Sequence, residues 1–325
     1  MKEKKELNIV FMGTPEFAVT ILEKLITESY NIKAVITAPD RPAGRGRKLQ
    51  GSAVKNCALQ NELPILQPAN LKDEEFIKEL ETFNADLFIV VAFRMLPKVV
   101  WSIPSMGTFN LHGSLLPQYR GAAPINWAVI NGETETGVTT FFIDEKIDTG
   151  QTLISKRLSI GENETAGELH DRMMFLGAET VVDTVELIRL GKAAPKPQIE
   201  GGLKSAPKIS KQDCLLDLNQ PINNIHNFIR GMSPYPTAWI KLQHKATSEQ
   251  KTLKLFQTKI LNNENHLSNQ LKNDNKTLVL ETTTGTLLIN EIQLEGKKRL
   301  DATSFIAGFD VIEWEIINPP FNETD

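Results

Sequence analysis

Asn110 and His112 stand two residues apart in the run Phe109-Asn110-Leu111-His112-Gly113-Ser114-Leu115-Leu116-Pro117. On a β-strand, residues i and i+2 share a face, so the amide and the imidazole point the same way. An imidazole titrates near neutral pH, and an amide N–H can donate to a developing oxyanion. Asp148 follows in Asp144-Glu145-Lys146-Ile147-Asp148-Thr149-Gly150. Asp-Thr-Gly alone reads as a turn, since Asp and Gly are turn formers. A carboxylate that reaches a histidine can instead orient and tune it. The residue types predict proton transfer by Asn110, His112 and Asp148 and leave the substrate open.

Such a set needs strands that end together. Leu7 to Met12 is a short apolar run closed by Gly13, with Thr14 and Pro15 placed as N-cap and first helical residue; Phe17, Ile21, Leu22 and Leu25 then recur at helical spacing. Further strands are predicted at 32–37, 63–66, 85–93 and 108–112, with a helix over 52–62. This βαβ rhythm predicts an α/β, mainly parallel sheet covered on both faces, with the site at the carboxyl ends of its strands. Strands at 138–143 and 152–160 follow. A long helix is then opened by the capping box Thr165-x-x-Glu168.

The texture changes at Gly191. Residues 191–211 are rich in Pro, Gly and Lys (Lys192, Lys196, Lys204, Lys208, Lys211 against Glu200) and read as a basic linker. Beyond it, a helix over 222–232 and short strands near 238–242, 253–260, 277–281 and 286–294 predict a small β-barrel. The Asn-rich stretch 262–275 reads as a surface loop. The division expected is 1–190 catalytic, 191–211 linker, and 212–325 barrel.

Composition sets the outer limits. The chain has 325 residues, 41% of them hydrophobic, with a formal net charge of −4. Two cysteines without metal-ligand spacing argue against a disulfide scaffold or a zinc site. The start lacks an apolar signal core and no long apolar run occurs, so a cytoplasmic protein without a membrane span is expected. Mild acidity does not favour nucleic acid over the whole surface, but Arg41, Arg45, Arg47 and Lys48 cluster around Gly44 and Gly46, with Asp40 as the one acid. Gly44-Arg45-Gly46 begins like a dinucleotide fingerprint, but the sixth position is Leu49 and the motif fails. Interleaved arginines suit an RNA backbone or unpaired bases better than a tight phosphate turn.

The segments 110–117, Arg120-Gly121-Ala122-Ala123-Pro124 and 148–150 resemble the folate-dependent formyltransferases. The resemblance extends to 11–18 and 38–49 and persists more weakly at 229–236, so it covers both expected domains. It implies the formyltransferase fold, a Rossmann-like sheet with a C-terminal OB-like β-barrel that helps hold tRNA. It also implies 10-formyltetrahydrofolate as formyl donor, no metal, and a monomer. The Arg41 to Lys48 loop resembles that of the members acting on initiator methionyl-tRNA, whose acceptor is the methionine α-amine. By resemblance Asn110, His112 and Asp148 are catalytic, and Ser114, Leu115, Leu116 and Pro117 line the folate pocket. Arg41, Arg45, Arg47 and Lys48 would contact the tRNA acceptor end, and Lys208 its phosphates. The chain departs from the family at 92–97, one residue shorter than the common form, which carries a Tyr-Gly there. Hydrolysis of formyltetrahydrofolate is one variant that stays open, and two alternatives stand beside it. A formyltransferase acting on a small amine would keep the three residues without needing the arginine loop, and a non-catalytic RNA-binding protein would have no need of the three residues.

Overall fold

The structure is a computed structural model that describes residues 2–43, 48–199 and 201–317. The chain divides into two compact units. The first comprises Met1–Pro124, Glu135–Ser159 and His170–Ala206, and the second Ile125–Thr134, Ile160–Leu169 and the chain from Pro207 onward.

The first half runs β1 (Asn8–Gly13), α1 (Glu16–Thr27), β2 (Asn31–Ile36), β3 (Arg41–Ala43), β4 (Lys48–Gln50), α2 (Ala53–Gln60), β5 (Ile65–Leu66), α3 (Glu74–Thr82) and β6 (Leu87–Val91). It continues with α4 (Lys98–Trp101), β7 (Thr108–His112), β8 (Arg120–Gly121), α5 (Pro124–Ile130), β9 (Glu135–Phe142), β10 (Thr152–Ser159), α6 (Ala166–Arg189) and β11 (Ser205–Ala206). The main sheet has the order β10-β9-β7-β6-β1-β2-β5. Pairings from β5 through β7 are parallel, and β9 and β10 add antiparallel strands at the β7 side. The chain steps from β1 outward to β2 and later returns to β6 on β1's other side. That reversal is where open α/β sheets leave a crevice at their carboxyl ends.

Alternation along the strands decides what each face buries. Val10 and Met12 share a core cluster with Phe88, Val90, Phe76 and Leu80. In the parallel register Val90 lies beside Asn110, so Asn110 and His112 lie on the face that carries this cluster. Leu111 points to the opposite face, where its Cδ2 lies 2.8 Å from the place a Cβ on Gly177 of α6 would occupy. Gly177 thus lets α6 lie close against the strand that carries the site.

Local expectations fare unevenly. The capping box holds: Thr165 N donates to Glu168 Oε2 at 2.8 Å, and Glu168 N to Thr165 Oγ1 at 3.2 Å. Pro15 is the N-cap of α1, one residue later than the Thr14 cap expected. Ser52 caps α2 by accepting from Lys55 N. The small hairpin β3–β4 at the foot of the basic loop had no strand pattern to reveal it.

The second unit's later part contains α7 (Ile222–Met232), β12 (Ala238–His244), β13 (Gln250–Asn262), β14 (Gln270–Asp274), β15 (Thr277–Thr282), β16 (Gly285–Leu294), β17 (Leu300–Asp301), α8 (Ala302–Ile306) and β18 (Trp314–Ile317). The strands form an antiparallel sheet of order β14-β15-β16-β13-β12-β18, with β17 on β16, and β14 curls near β18 to give a nearly closed barrel. The stretch 262–275 expected as a loop carries β14, whose partner Leu280 covers the buried Leu271. α7 packs on segments drawn from the first half of the sequence. Asn126 Nδ2 donates to Gly231 O at 2.8 Å, and Arg230 Nη1 donates to Glu164 O at 2.9 Å. A Cβ on Gly231 would stand 2.5 Å from Ile130 Cγ1, so this close approach needs glycine.

Among the described residues, no helix is long and apolar enough to cross a membrane. Gly177→Val should overpack α6 against Leu111 and cost about 1–3 kcal/mol. Thermal unfolding checks it: the midpoint falls by roughly 2–4 °C per kcal/mol for a unit this size, and an unchanged midpoint refutes the packing argument.

Candidate active site

β7 delivers Asn110, half-buried, and His112, buried, at its carboxyl end. His112 Nε2 lies 2.8 Å from the carbonyl of Tyr119. A carbonyl only accepts, so Nε2 carries the hydrogen. Nδ1 is left as the ring nitrogen that can exchange a proton, and it faces Asp148 Oδ2 at 3.7 Å. That distance is too long for a hydrogen bond but within range of an ion pair. Phe141 sets its ring edgewise to the imidazole, with centroids 6.5 Å apart.

Asp148 is held from several directions. Its Oδ2 accepts from Gly121 N at 2.9 Å. Its backbone takes a left-handed φ of +55°, which aspartate tolerates better than most residues. Gly150 passes so close beneath β9 that a Cβ there would lie 1.7 Å from Phe142 O. Asp144 Oδ1 accepts from Lys146 N at 3.0 Å and from Thr149 Oγ1 at 2.7 Å, closing the turn. Thr149 and Gly150 thus do the turn's work, and Asp148 is turned toward the histidine.

The segment after His112 is built around Thr139 of β9. Its Oγ1 donates to Ser114 O at 2.8 Å and accepts from Leu116 N at 3.2 Å. The Leu116–Pro117 bond is cis. Ser114 and Leu116 are buried, and Ser114 Oγ donates to Gln118 O at 2.6 Å, while Leu115 and Pro117 stay partly open. Of the four candidates for the folate pocket, the Ser114 hydroxyl is therefore occupied in shaping the loop.

Two supports carry no signal in the sequence. Gln198, in the segment expected as linker, donates from Nε2 to Asp148 O at 2.9 Å and to Gly150 O at 2.8 Å. Its Oε1 accepts from Arg120 Nε at 3.1 Å and Nη2 at 2.8 Å. The segment is tied down at both ends. Lys196 exchanges backbone bonds with Thr152, and Ser205–Ala206 pairs in parallel with Arg120–Gly121. Residues 192–199 and 201–206 form a strap across the first unit, and no spacing or periodicity announced it.

At the basic loop, Arg41 is exposed on β3, while Arg45 and Arg47 lie outside the described residues, and so does the Lys48 side chain. The loop's one acid does not face it as a free charge. Asp40 accepts from Gln67 Nε2 at 2.8 Å and pairs with Lys55 at 2.6 Å, and these two partners hold its carboxyl below the usual range. Arg94 donates to the carbonyls of Ala69 and Pro68. Its ionisation is depressed first by burial and then by the charge of Arg41. Ala92, where the chain departs from the family pattern, takes φ +46°, a conformation natural to glycine. Lys208 is exposed in the second unit. No group of metal-ligating side chains is present among the described residues.

A family described as formyl transferase matches residues 7–185, and one described as formyl transferase, C-terminal domain, matches 208–310. The chain belongs to the formyl transferase family. It is 50% identical over 306 residues to the methionyl-tRNA formyltransferase of Flavobacterium johnsoniae, covering 94% of this chain and 96% of that one. It is 49% identical over 317 residues to that of Bacteroides fragilis, covering 96% and 98%. Among solved structures, the sugar 3N-formyl transferase WlaRD, determined with dTDP and 5-N-formyl-THF, aligns with TM-score 0.64 at 21% identity over 90% of this chain and 99% of that one. HypX from Aquifex aeolicus, solved with tetrahydrofolic acid, aligns with TM-score 0.61 at 16% identity over 92% of this chain and 46% of its own. At those identities the likeness is one of fold. It bears out the expected α/β sheet with a barrel-like C-terminal part.

Within this formyl transferase, Thr139→Val keeps the side chain's shape but leaves the Ser114 carbonyl and Leu116 amide without their partner. Such losses cost about 1–3 kcal/mol. Chemical denaturation should show a drop of that size with an unchanged slope, and equal stability would mean that the loop is held by other means.

Proposed function

We propose that this enzyme transfers the formyl group of 10-formyltetrahydrofolate to the α-amine of methionine on initiator methionyl-tRNA, yielding the N-formylmethionyl-tRNA that starts translation. The observation that carries the reading is near-half identity, over almost the full length, to relatives named methionyl-tRNA formyltransferase, with Asn110, His112 and Asp148 gathered at the end of β7. The protein works in the cytoplasm as a monomer without a metal. The first unit carries the chemistry, and the second helps hold tRNA.

In the proposed reaction, the amine nitrogen attacks the formyl carbon, the bond from that carbon to folate N10 breaks, and one proton passes from the amine to N10. Free α-amines titrate at roughly pH 7.7–8.0, so the attacking form must be freed of a proton. Tyr119 O fixes the Nε2–H of His112, which leaves Nδ1 to take and return protons while Asp148 balances the charge that forms. Asn110 donates to the oxyanion of the tetrahedral intermediate, an interaction worth ~3 kcal/mol for one donor. Leu115 and Pro117, partly open, offer apolar contact to the pterin side. Arg41, Arg45, Arg47 and Lys48 face the acceptor end, and Lys208 contacts its phosphates.

Incubation with 10-formyltetrahydrofolate and methionyl initiator tRNA should give formyl incorporation into the aminoacyl-tRNA; transfer only to small amines would sink the reading. His112→Ala should abolish measurable turnover while tRNA binding persists. Arg45→Ala should chiefly raise the KM for tRNA, and an unchanged tRNA dependence would remove the loop from the acceptor site.

A further inference from the structure

We infer that Gln198 is a positioning residue for the transfer reaction: its amide locks the backbone of Asp148 so that the carboxylate faces Nδ1 of His112. The inference rests on the catalytic roles proposed above and extends them to a side chain outside the loops that carry the chemistry.

A primary amide is the one neutral side-chain group able to give two hydrogen bonds and accept two more at a single branch point. Gln198 uses this capacity. Its nitrogen bridges the carbonyls of Asp148 and Gly150, at 2.9 and 2.8 Å. Its oxygen takes two bonds from Arg120, at 3.1 and 2.8 Å. A guanidinium only donates, so Arg120 decides which way the amide is turned and keeps the N–H groups on the catalytic loop.

Two carbonyls held from one point fix the 148–149 and 150–151 peptide planes. The first plane holds ψ of Asp148 and with it the left-handed backbone, φ +55°, from which the carboxylate reaches Gly121 N and faces His112. Arg120 and Gly121 are adjacent, so the bond to the Asp148 side chain and the bonds to Gln198 come from one short strand. The same strap reaches the histidine's other partner. Tyr119, whose carbonyl holds His112 Nε2, donates its own N–H to Lys204 O at 2.6 Å, and Gln118 Oε1 accepts from Lys204 N at 2.9 Å. Gln198 and Lys204, six residues apart, brace the two groups that face the two nitrogens of one imidazole.

The test compares the wild type with Gln198→Ala and with Gln198→Glu. The glutamate keeps the shape and the bonds from Arg120 but sets a carboxylate oxygen against two carbonyls. In both variants, kcat for formyl transfer should fall about 10- to 100-fold, the cost expected when a reacting group is displaced by about an ångström. KM for both substrates should stay within about threefold, and the ionisation limb of kcat against pH should move. NMR titration of the His112 ring should show its midpoint moved in Gln198→Ala, which adds no charge, independently of turnover. A uniform loss of activity with unmoved pH limb and unmoved His112 titration would make Gln198 merely structural and overturn the inference, as would unchanged kcat. If one variant does not fold, the other decides between these outcomes. A wild type that does not formylate tRNA, with a His112 midpoint still moved by Gln198→Ala, would sink the function proposed and leave the positioning role standing.

Discussion

The hydrogen bond from Gly121 N–H to the Asp148 carboxylate, 2.9 Å long, is the tie on which the site depends. It joins the loop after β7 to the loop after β9, two segments twenty-seven residues apart in sequence that no strand pairing brings together. Each end is built to permit it. Gly121 has φ +128°, and a Cβ there would lie 2.3 Å from Ala206 O, so a side chain would break the β8–β11 pairing that presents the amide. On the other side, Gly150 lets the Asp148 loop pass under Phe142. A charged acceptor receiving a backbone N–H is a stronger bond than a neutral pair, and here it is directional as well. It leaves the other lone pairs of Oδ2 and the second carboxylate oxygen available to the histidine and to a reacting group.

The His112–Asp148 contact is by contrast only half made, at 3.7 Å. Catalytic hydrogen bonds are often long before substrate arrives and tighten in the reacting complex. The two nitrogens of the ring are unequal for a structural reason. One is tied to a carbonyl that the strap holds in place, and the other faces a carboxylate across a gap. An imidazole held this way cannot rotate to find water, so its proton exchange is confined to the side where Asp148 stands. In the proposed mechanism this inequality gives the proton path its direction before any substrate is considered.

How much of this could be read from the residues differs by kind of interaction. The pleat rule placed Asn110 and His112 on one face, and β7 bears that out, because period-two alternation is local. The α7 boundaries and the Thr165 cap were legible for the same reason. Asp148 reads as a turn residue until its neighbours are known, since Asp-Thr-Gly has a sufficient local explanation. Gln198 was illegible: its bonds go to two backbone carbonyls and one guanidinium distant in sequence, and a lone Gln between Pro197 and Ile199 carries no pattern. The strap reads as linker because Pro, Gly and Lys are common in linkers. Yet Pro and Gly serve equally well in an irregular segment pinned by side-chain bonds. The Asn-rich stretch misleads in the same way, since the pairing that makes β14 a strand is with β15, and composition does not show pairing.

The three positions proposed as catalytic do not choose an acceptor, because any amine able to approach the end of β7 would meet the same amide, imidazole and carboxylate. Choice must come from charge outside the site, and there the fate of Asp40 matters. An acid amid arginines would ordinarily cancel part of their field. Asp40 is instead engaged by Gln67 and Lys55, so it anchors the foot of the loop and its charge is answered by a lysine of α2. Asp40 therefore does not offset the charge of the exposed Arg41. Contacts between arginine and phosphate are sensitive to salt, because each phosphate neutralised releases counterions, whereas the buried exchange between His112 and Asp148 is shielded from ions in solution. In the proposed reading, recognition and chemistry are therefore separable by ionic strength: salt acts on how tightly the tRNA is held and leaves the step at the formyl carbon nearly untouched.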